Sequence, residues 1–180
     1  MPQESIELLL LRHAKSSWAD EGMADHDRPL NPRGIAAASR MGHLCRYLGR
    51  VPERILTSDA CRTRETAAGL TAASGFEGST TTTPALYLAS PESILETVRE
   101  LGGDARRLLV IAHNPGMQTL MSRLLAPHRI AHPAHINIHE VLERVRIVLL
   151  AEFQKEIHKL QLNLQSAQIT HRQISGLNPF

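Results

Sequence analysis

Leu11-Arg12-His13-Ala14-Lys15, Ser58-Asp59-Ala60-Cys61-Arg62-Thr63 and Ala112-His113-Asn114-Pro115-Gly116 decide how this chain folds. Each follows a short apolar stretch, and each precedes a segment with helical spacing. Ile6 to Leu11 is apolar except for Glu7, the pattern of a strand buried on both faces. Arg54 to Thr57 and Arg107 to Ala112 read as further strands. If the three strands are parallel, Arg12, His13, Arg62 and His113 emerge at one edge of the sheet. Ligands of open α/β sheets bind beyond the carboxyl ends of the strands. Two guanidinium groups and two imidazoles at one point suit a phosphoryl group, and either imidazole can attack phosphorus.

The intervening segments supply the helices. Asn31-Pro32 is an N-cap followed by proline at the first helical position. Ile35, Ala38, Met41, Leu44, Cys45 and Leu48 then recur at helical spacing, with Gly49 as the stop. Thr63 to Ala73 reads as a helix ended by Ser74-Gly75. Thr80 to Leu86 is rich in threonine and reads as a strand, interrupted or edged by Pro84. Ser90-Pro91-Glu92 repeats the cap-then-proline start of a helix that runs to Leu101. Asn114-Pro115 starts another, ending near Leu125. Strands alternating with helices imply an α/β fold of three layers, a mostly parallel sheet flanked by helices.

Composition narrows the function. A length of 180 residues and 42% hydrophobic content suit a globular α/β core. A net charge of +2 with interspersed signs gives no reason to expect nucleic acid or a membrane surface as partner. Aromatic residues make up only 3%, too few for a base-stacking platform. Cys45 and Cys61 fit no metal-binding spacing and suit a reducing compartment. The apolar run at Ile6 is too short for a signal or a membrane span, so a cytoplasmic protein is expected.

Leu-Leu-Arg-His-Ala-Lys-Ser-Ser-Trp at 10–18 resembles the signature of the histidine phosphatase superfamily, the phosphoglycerate-mutase-like group. The match is nearest to its small phosphohistidine-phosphatase branch of SixA type. Asp27-Arg28-Pro29-Leu30-Asn31-Pro32-Arg33-Gly34 resembles a second family segment, and Ser58 to Ala67 a third. Leu86 to Glu92 and Val110 to Gly116 complete the set, so the resemblance covers about residues 6 to 125. It implies that His13 is a nucleophile that takes the phosphoryl group as phosphohistidine. It implies that Arg12 and Arg62 bind phosphate oxygens and that His113 hydrogen-bonds the phosphoryl group. Arg28 matches an arginine of the small branch, with a loop salt bridge to Asp25 or Asp27 as its other reading. No cofactor and no metal are implied. The expected partner is a phosphorylated protein or a small phosphorylated molecule.

The expected activity is therefore a metal-independent phosphatase working through a covalent phosphohistidine intermediate. A non-catalytic phosphate-binding or scaffolding protein on the same fold is the alternative. Glu92 is the candidate general acid by position, although Ser-Pro-Glu is equally an acid favoured at a helix start. His128, His132, His135 and His139 have a spacing that would line one helical face, but Pro133 interrupts such a helix. Asp20, Asp25, His26 and Asp27 read as a solvated loop.

Beyond Leu125 the family pattern stops. The sequence divides into a core over 1–126 and an extension over 127–180. In that extension Val141, Leu142, Val145, Val148, Leu149, Phe153, Ile157, Leu160 and Leu164 recur as one long amphipathic helix. The apolar stripe must pack on its own sheet, on a second copy as a homodimer, or on another protein. Packing on the same domain is the first expectation.

Overall fold

The computed structural model describes residues 6–125 and 145–149. Five strands form one sheet: β1 (Ile6–Arg12), β2 (Arg54–Ser58), β3 (Ser79–Thr83), β4 (Arg107–Ala112) and β5 (Val145–Leu149). Their order across the sheet is β3-β2-β4-β1-β5, and every pairing is parallel. Four helices connect them: α1 (Pro32–Tyr47), α2 (Cys61–Ser74), α3 (Pro91–Leu101) and α4 (Gly116–Leu125). The expected architecture of a parallel sheet between helical layers is thus present.

Alternation along the strands builds the two cores. Leu8, Leu10, Leu56, Leu108 and Val110 join Ile94 and Leu95 of α3 and Leu120 and Leu124 of α4 in one buried cluster. Leu9, Leu11, Ile55, Leu109 and Ile111 are also buried and, with a side-chain period of two, point to the other face. There α1 and α2 pack together and bury Ala38, Met41, Leu44 and Leu70. Each large aliphatic side chain so buried contributes roughly 1.5–3 kcal/mol.

The ends of the helices follow from capping. The Asn31 side chain accepts from the Gly34 N–H, and Pro32 occupies the first helical position of α1. The Ser90 hydroxyl accepts from the Ser93 N–H at the start of α3. Gly75 ends α2 with φ +73°, a left-handed conformation that glycine adopts without a Cβ penalty. Where Thr80 to Leu86 reads as one strand, β3 stops at Thr83 and Pro84–Leu86 forms a 3-10 turn. Pro84 has no N–H to continue the ladder, and the Thr83 side chain caps the turn at Ala85.

The long C-terminal helix expected from the sequence is corrected over Val145–Leu149. These residues form β5, paired with β1 from Ile6↔Val145 to Leu10↔Leu149. Val145, Ile147 and Val148 are β-branched, and β1 offers an edge beside β4 that a parallel strand can complete. The compact unit that carries the sheet accordingly runs to Leu149. The remainder of that apolar stripe, and the four histidines from His128 to His139, lie outside the described residues. Among the described residues no helix is long and apolar enough to cross a membrane.

Candidate active site

The parallel register decides which side chains meet. Arg12 pairs with Ala112, so His13 and His113 leave neighbouring strands side by side, and the His13 N–H donates to the Ala112 carbonyl at 3.1 Å. Their ring centroids are 5.1 Å apart, close to the spacing of neighbouring strands. On the other flank of β4, β2 ends at Ser58, whose Oγ lies 3.0 Å from His113 Nε2. The chain then turns into α2, and Arg62 in its first turn points back into the same space.

Arg62 organises the two imidazoles. Its Nε donates to His13 Nε2 and its Nη2 to His113 Nδ1, both at 3.3 Å. A guanidinium only donates, so both receiving nitrogens carry lone pairs. His13 Nδ1 must then hold the proton, which it donates to the Ala14 carbonyl at 2.7 Å. His113 Nε2 holds the other and donates it to Ser58 Oγ. Both rings are neutral in this arrangement. Burial pushes His13 from 6.5 down to about 4, opposed by the Ala14 carbonyl and assisted by the charges of Arg62, Arg12 and Arg28. Burial, followed by the charge of Arg62, likewise brings His113 to about 4.

The segment after His13 is fixed by its neighbours. The Ala14 N–H donates to Thr66 Oγ1 at 3.0 Å, and that hydroxyl donates to the Arg62 carbonyl at 2.6 Å. Ser16 and Leu30 form an antiparallel bridge, while the Asn31 N–H donates to the Lys15 carbonyl and the Ser17 N–H to that of Pro29. Gly34 permits this approach, because a Cβ there would lie 2.2 Å from the Lys15 oxygen. The 28–34 segment is thereby laid across the start of the 13–17 loop.

Four of the five expected site residues, His13, His113, Arg62 and Arg28, have side chains tied into this pocket. Arg12 stands exposed at the end of β1, where its charge acts on both imidazoles. Arg28 is buried; its Nε donates to the Ser17 carbonyl, Nη2 to Ser16 Oγ and Nη1 to Asp25 Oδ1 at 2.7 Å. Its guanidinium also stacks 3.3 Å from the Trp18 ring centroid. Both readings of Arg28 therefore meet in one side chain: it makes the loop salt bridge, and its charge reaches His13. Glu92 is elsewhere engaged, paired with Arg123 of α4, which holds its carboxyl below the usual range.

Asp25, read from sequence as part of a solvated loop, belongs to the site. Its Oδ2 accepts from Arg62 Nη2 at 2.8 Å and from the Tyr87 hydroxyl at 2.9 Å. Its backbone carbonyl accepts from Arg62 Nη1. Partial burial opposes ionisation of Asp25, but the hydrogen bonds from Tyr87 and Arg62 and the nearby arginine charges hold its carboxyl below the ordinary value. Tyr87 packs edge-on against His113 at 5.3 Å and against His26 at 5.0 Å. His26 Nε2 lies 3.1 Å from Asp59 Oδ1, which ties the 25–27 turn to the segment that follows β2. Only the position of Asp25, three residues before Arg28, hinted at the contact. Tyr87 and Ser58 carried no chemical signal of their own. Among the described residues no group of three or more His, Cys, Asp or Glu side chains is arranged to hold a metal ion.

Residues 8–87 match the model of the histidine phosphatase superfamily, branch 1. Over 110 residues the chain is 37% identical to an uncharacterized protein of Mycobacterium tuberculosis; the match covers 61% of this chain and 66% of that protein, just under two thirds of its length. Among solved structures, a proposed phosphohistidine phosphatase SixA from Nakamurella multipartitia is similar at 30% identity, with a TM-score of 0.61 over 78% of this chain and 80% of that one. A second proposed SixA, from Agrobacterium tumefaciens, is similar at 28% identity with a TM-score of 0.59, over 67% and 82%. The shared sheet, the order of the strand-end motifs and these matches agree, and the chain belongs to the histidine phosphatase superfamily, among its SixA-like members.

Proposed function

We propose that this protein is a phosphatase that hydrolyses phosphohistidine on a protein, or a small phosphoester, through a phosphohistidine formed at His13. The observation that carries this reading is the state of His13. Its Nδ1–H is spent on the Ala14 carbonyl, and its Nε2 lone pair accepts from Arg62 Nε beside His113, a bond that the oxygens of the transferring group take over as Nε2 turns to phosphorus. A neutral imidazole with a fixed tautomer is a nucleophile that needs no separate base.

In the first step Nε2 attacks phosphorus, the P–N or P–O bond to the leaving group breaks, and the leaving group departs with the bonding electrons and takes a proton from solvent water. In the second step water attacks the phosphorus of the phosphohistidine. The P–N bond to His13 breaks, inorganic phosphate is released and the neutral imidazole returns. Arg12, Arg62 and Arg28 supply positive charge for the oxygens of the transferring group, as guanidinium forks do. These arginines do the charge neutralisation that a metal ion performs in other phosphatases. His113, tied to Ser58 and Arg62, is the second imidazole facing that group. The pairing of Glu92 with Arg123 favours a leaving group that departs without a strong acid, which suits the imidazole of phosphohistidine.

Rapid quench of the enzyme with a phosphohistidine peptide or an aryl phosphate tests the reading. Acid-labile phosphate is expected on His13 in the wild type, with neither label nor turnover in His13→Ala. Phosphopeptide binding without turnover in the wild type would overturn it in favour of the scaffolding alternative.

A further inference from the structure

Arg62 and Arg28 have every guanidinium nitrogen engaged. Arg62 is 3% exposed, and its three nitrogens are taken by His13, His113 and Asp25. Arg28 is 6% exposed, and its nitrogens are taken by Ser16, Ser17 and Asp25. One group is common to both. The Asp25 carboxylate presents Oδ1 to Arg28 and Oδ2 to Arg62, with the Tyr87 hydroxyl as a third donor. Two cations and a phenol converging on one carboxylate make an oxyanion seat, and the chain's own anion fills it.

We propose that Asp25 is a displaceable internal anion that must leave Arg62 and Arg28 before a phosphoryl group can bind them, and that it thereby selects against bare phosphate. This rests on the phosphatase reading above. The Asp25 side chain is 48% exposed on a short turn, Asp25–Asp27, whereas both arginines are buried, Arg28 held by Ser16 and Ser17 and Arg62 by His113 and the Asp25 backbone carbonyl. The carboxylate is therefore the partner free to move. Any oxyanion entering the pocket competes with it. A substrate offsets that competition with contacts to its leaving group, but inorganic phosphate has no such contacts. Return of Asp25 to the arginines then helps to expel the product.

The test is binding of tungstate and of inorganic phosphate to the purified full chain by calorimetry, for wild type, Asp25→Asn, Asp25→Ala and Arg62→Ala. Both Asp25 variants are expected to bind the oxyanions roughly tenfold more tightly than wild type, the scale of removing one charged competitor. They are also expected to show correspondingly stronger product inhibition. Arg62→Ala is expected to abolish binding. Equal or weaker binding in the Asp25 variants, with wild-type binding still dependent on Arg62, would overturn the proposal and leave Asp25 as a group that positions the arginines. Absence of oxyanion binding in every protein would overturn the phosphatase reading along with it. Should the variants fail to fold, NMR of wild type carrying 13C-labelled aspartate gives the same answer. The Asp25 carboxyl resonance must shift as tungstate saturates the pocket, and an unmoved resonance would overturn the proposal.

Discussion

The rings of His13 and His113 stand 5.1 Å apart and inclined at 56°, and a single guanidinium, that of Arg62, donates to both. One cation between two imidazoles makes protonation of either ring unfavourable. His13 is thus kept neutral by burial and by its neighbours' charge.

Replacing Arg62 with methionine keeps much of the side-chain volume but removes the charge and both hydrogen bonds. The titration midpoints of His13 and His113, about 4 in the native protein, are expected to rise towards the ordinary 6.5. Histidine ring NMR across pH 3–8 reads this directly. Midpoints that stay in place would mean that burial alone sets them.

The same two residues contribute to the pH dependence of stability. Their folded-state values lie below the unfolded value, so between about pH 6.5 and pH 4 the unfolded chain binds more protons. Stability is expected to be intact above pH 6.5 and to fall as the pH drops towards 4. Melting temperatures measured at half-unit steps check this, and His113→Gln should flatten the slope. A melting temperature that rises on acidification would contradict the assignment.

Thr66 links α2 to the loop that follows His13. Thr66→Val is close in shape but removes the acceptor for the Ala14 N–H, which lies next to His13. Leaving that donor unsatisfied costs about 1–3 kcal/mol. A lowered melting temperature and a reduced rate of His13 phosphorylation are expected, with less effect on oxyanion affinity. Unchanged phosphorylation kinetics would show that the loop holds without this bond.

Strand ends were legible because short apolar runs ending in Arg-His, Ser-Asp or His-Asn combine burial with chemistry, and the parallel sheet brings such ends together. Capping residues Asn31 and Ser90 placed their helices for the same local reason. Two features escaped. Asp25 reads only as loop or as a salt-bridge partner of Arg28, because its other partners, Arg62 and Tyr87, are 37 and 62 residues away and only the folded chain unites them. β5 was hidden by a repeat in which Val145, Val148 and Leu149 fit a helical stripe, although Val-Arg-Ile-Val-Leu fits a strand as well. Periodicity cannot separate the two over so few residues, and the open edge of β1 decides it.

Glu92 provides the last test, because its position suggests an acid and its surroundings argue against one. Its carboxylate is paired with Arg123, and that hydrogen bond, above all, keeps it ionised. A group that must give up a proton near neutral pH needs its ionisation shifted the other way. Glu92→Gln is therefore expected to leave kcat for phosphohistidine and aryl phosphates within about twofold, while losing a surface pair worth up to about 1 kcal/mol of stability. Without a protein acid, rates should depend steeply on how readily the leaving group departs, with alkyl phosphates far slower than aryl ones. Comparison of kcat across such a series, for wild type and Glu92→Gln, separates the cases. If Glu92 were the acid, the variant would lose alkyl phosphate turnover selectively and the alkaline limb of its pH profile would disappear. If instead the two series superimpose, departure of the leaving group is governed by its own basicity, and the pocket of His13, Arg62 and His113 carries the chemistry.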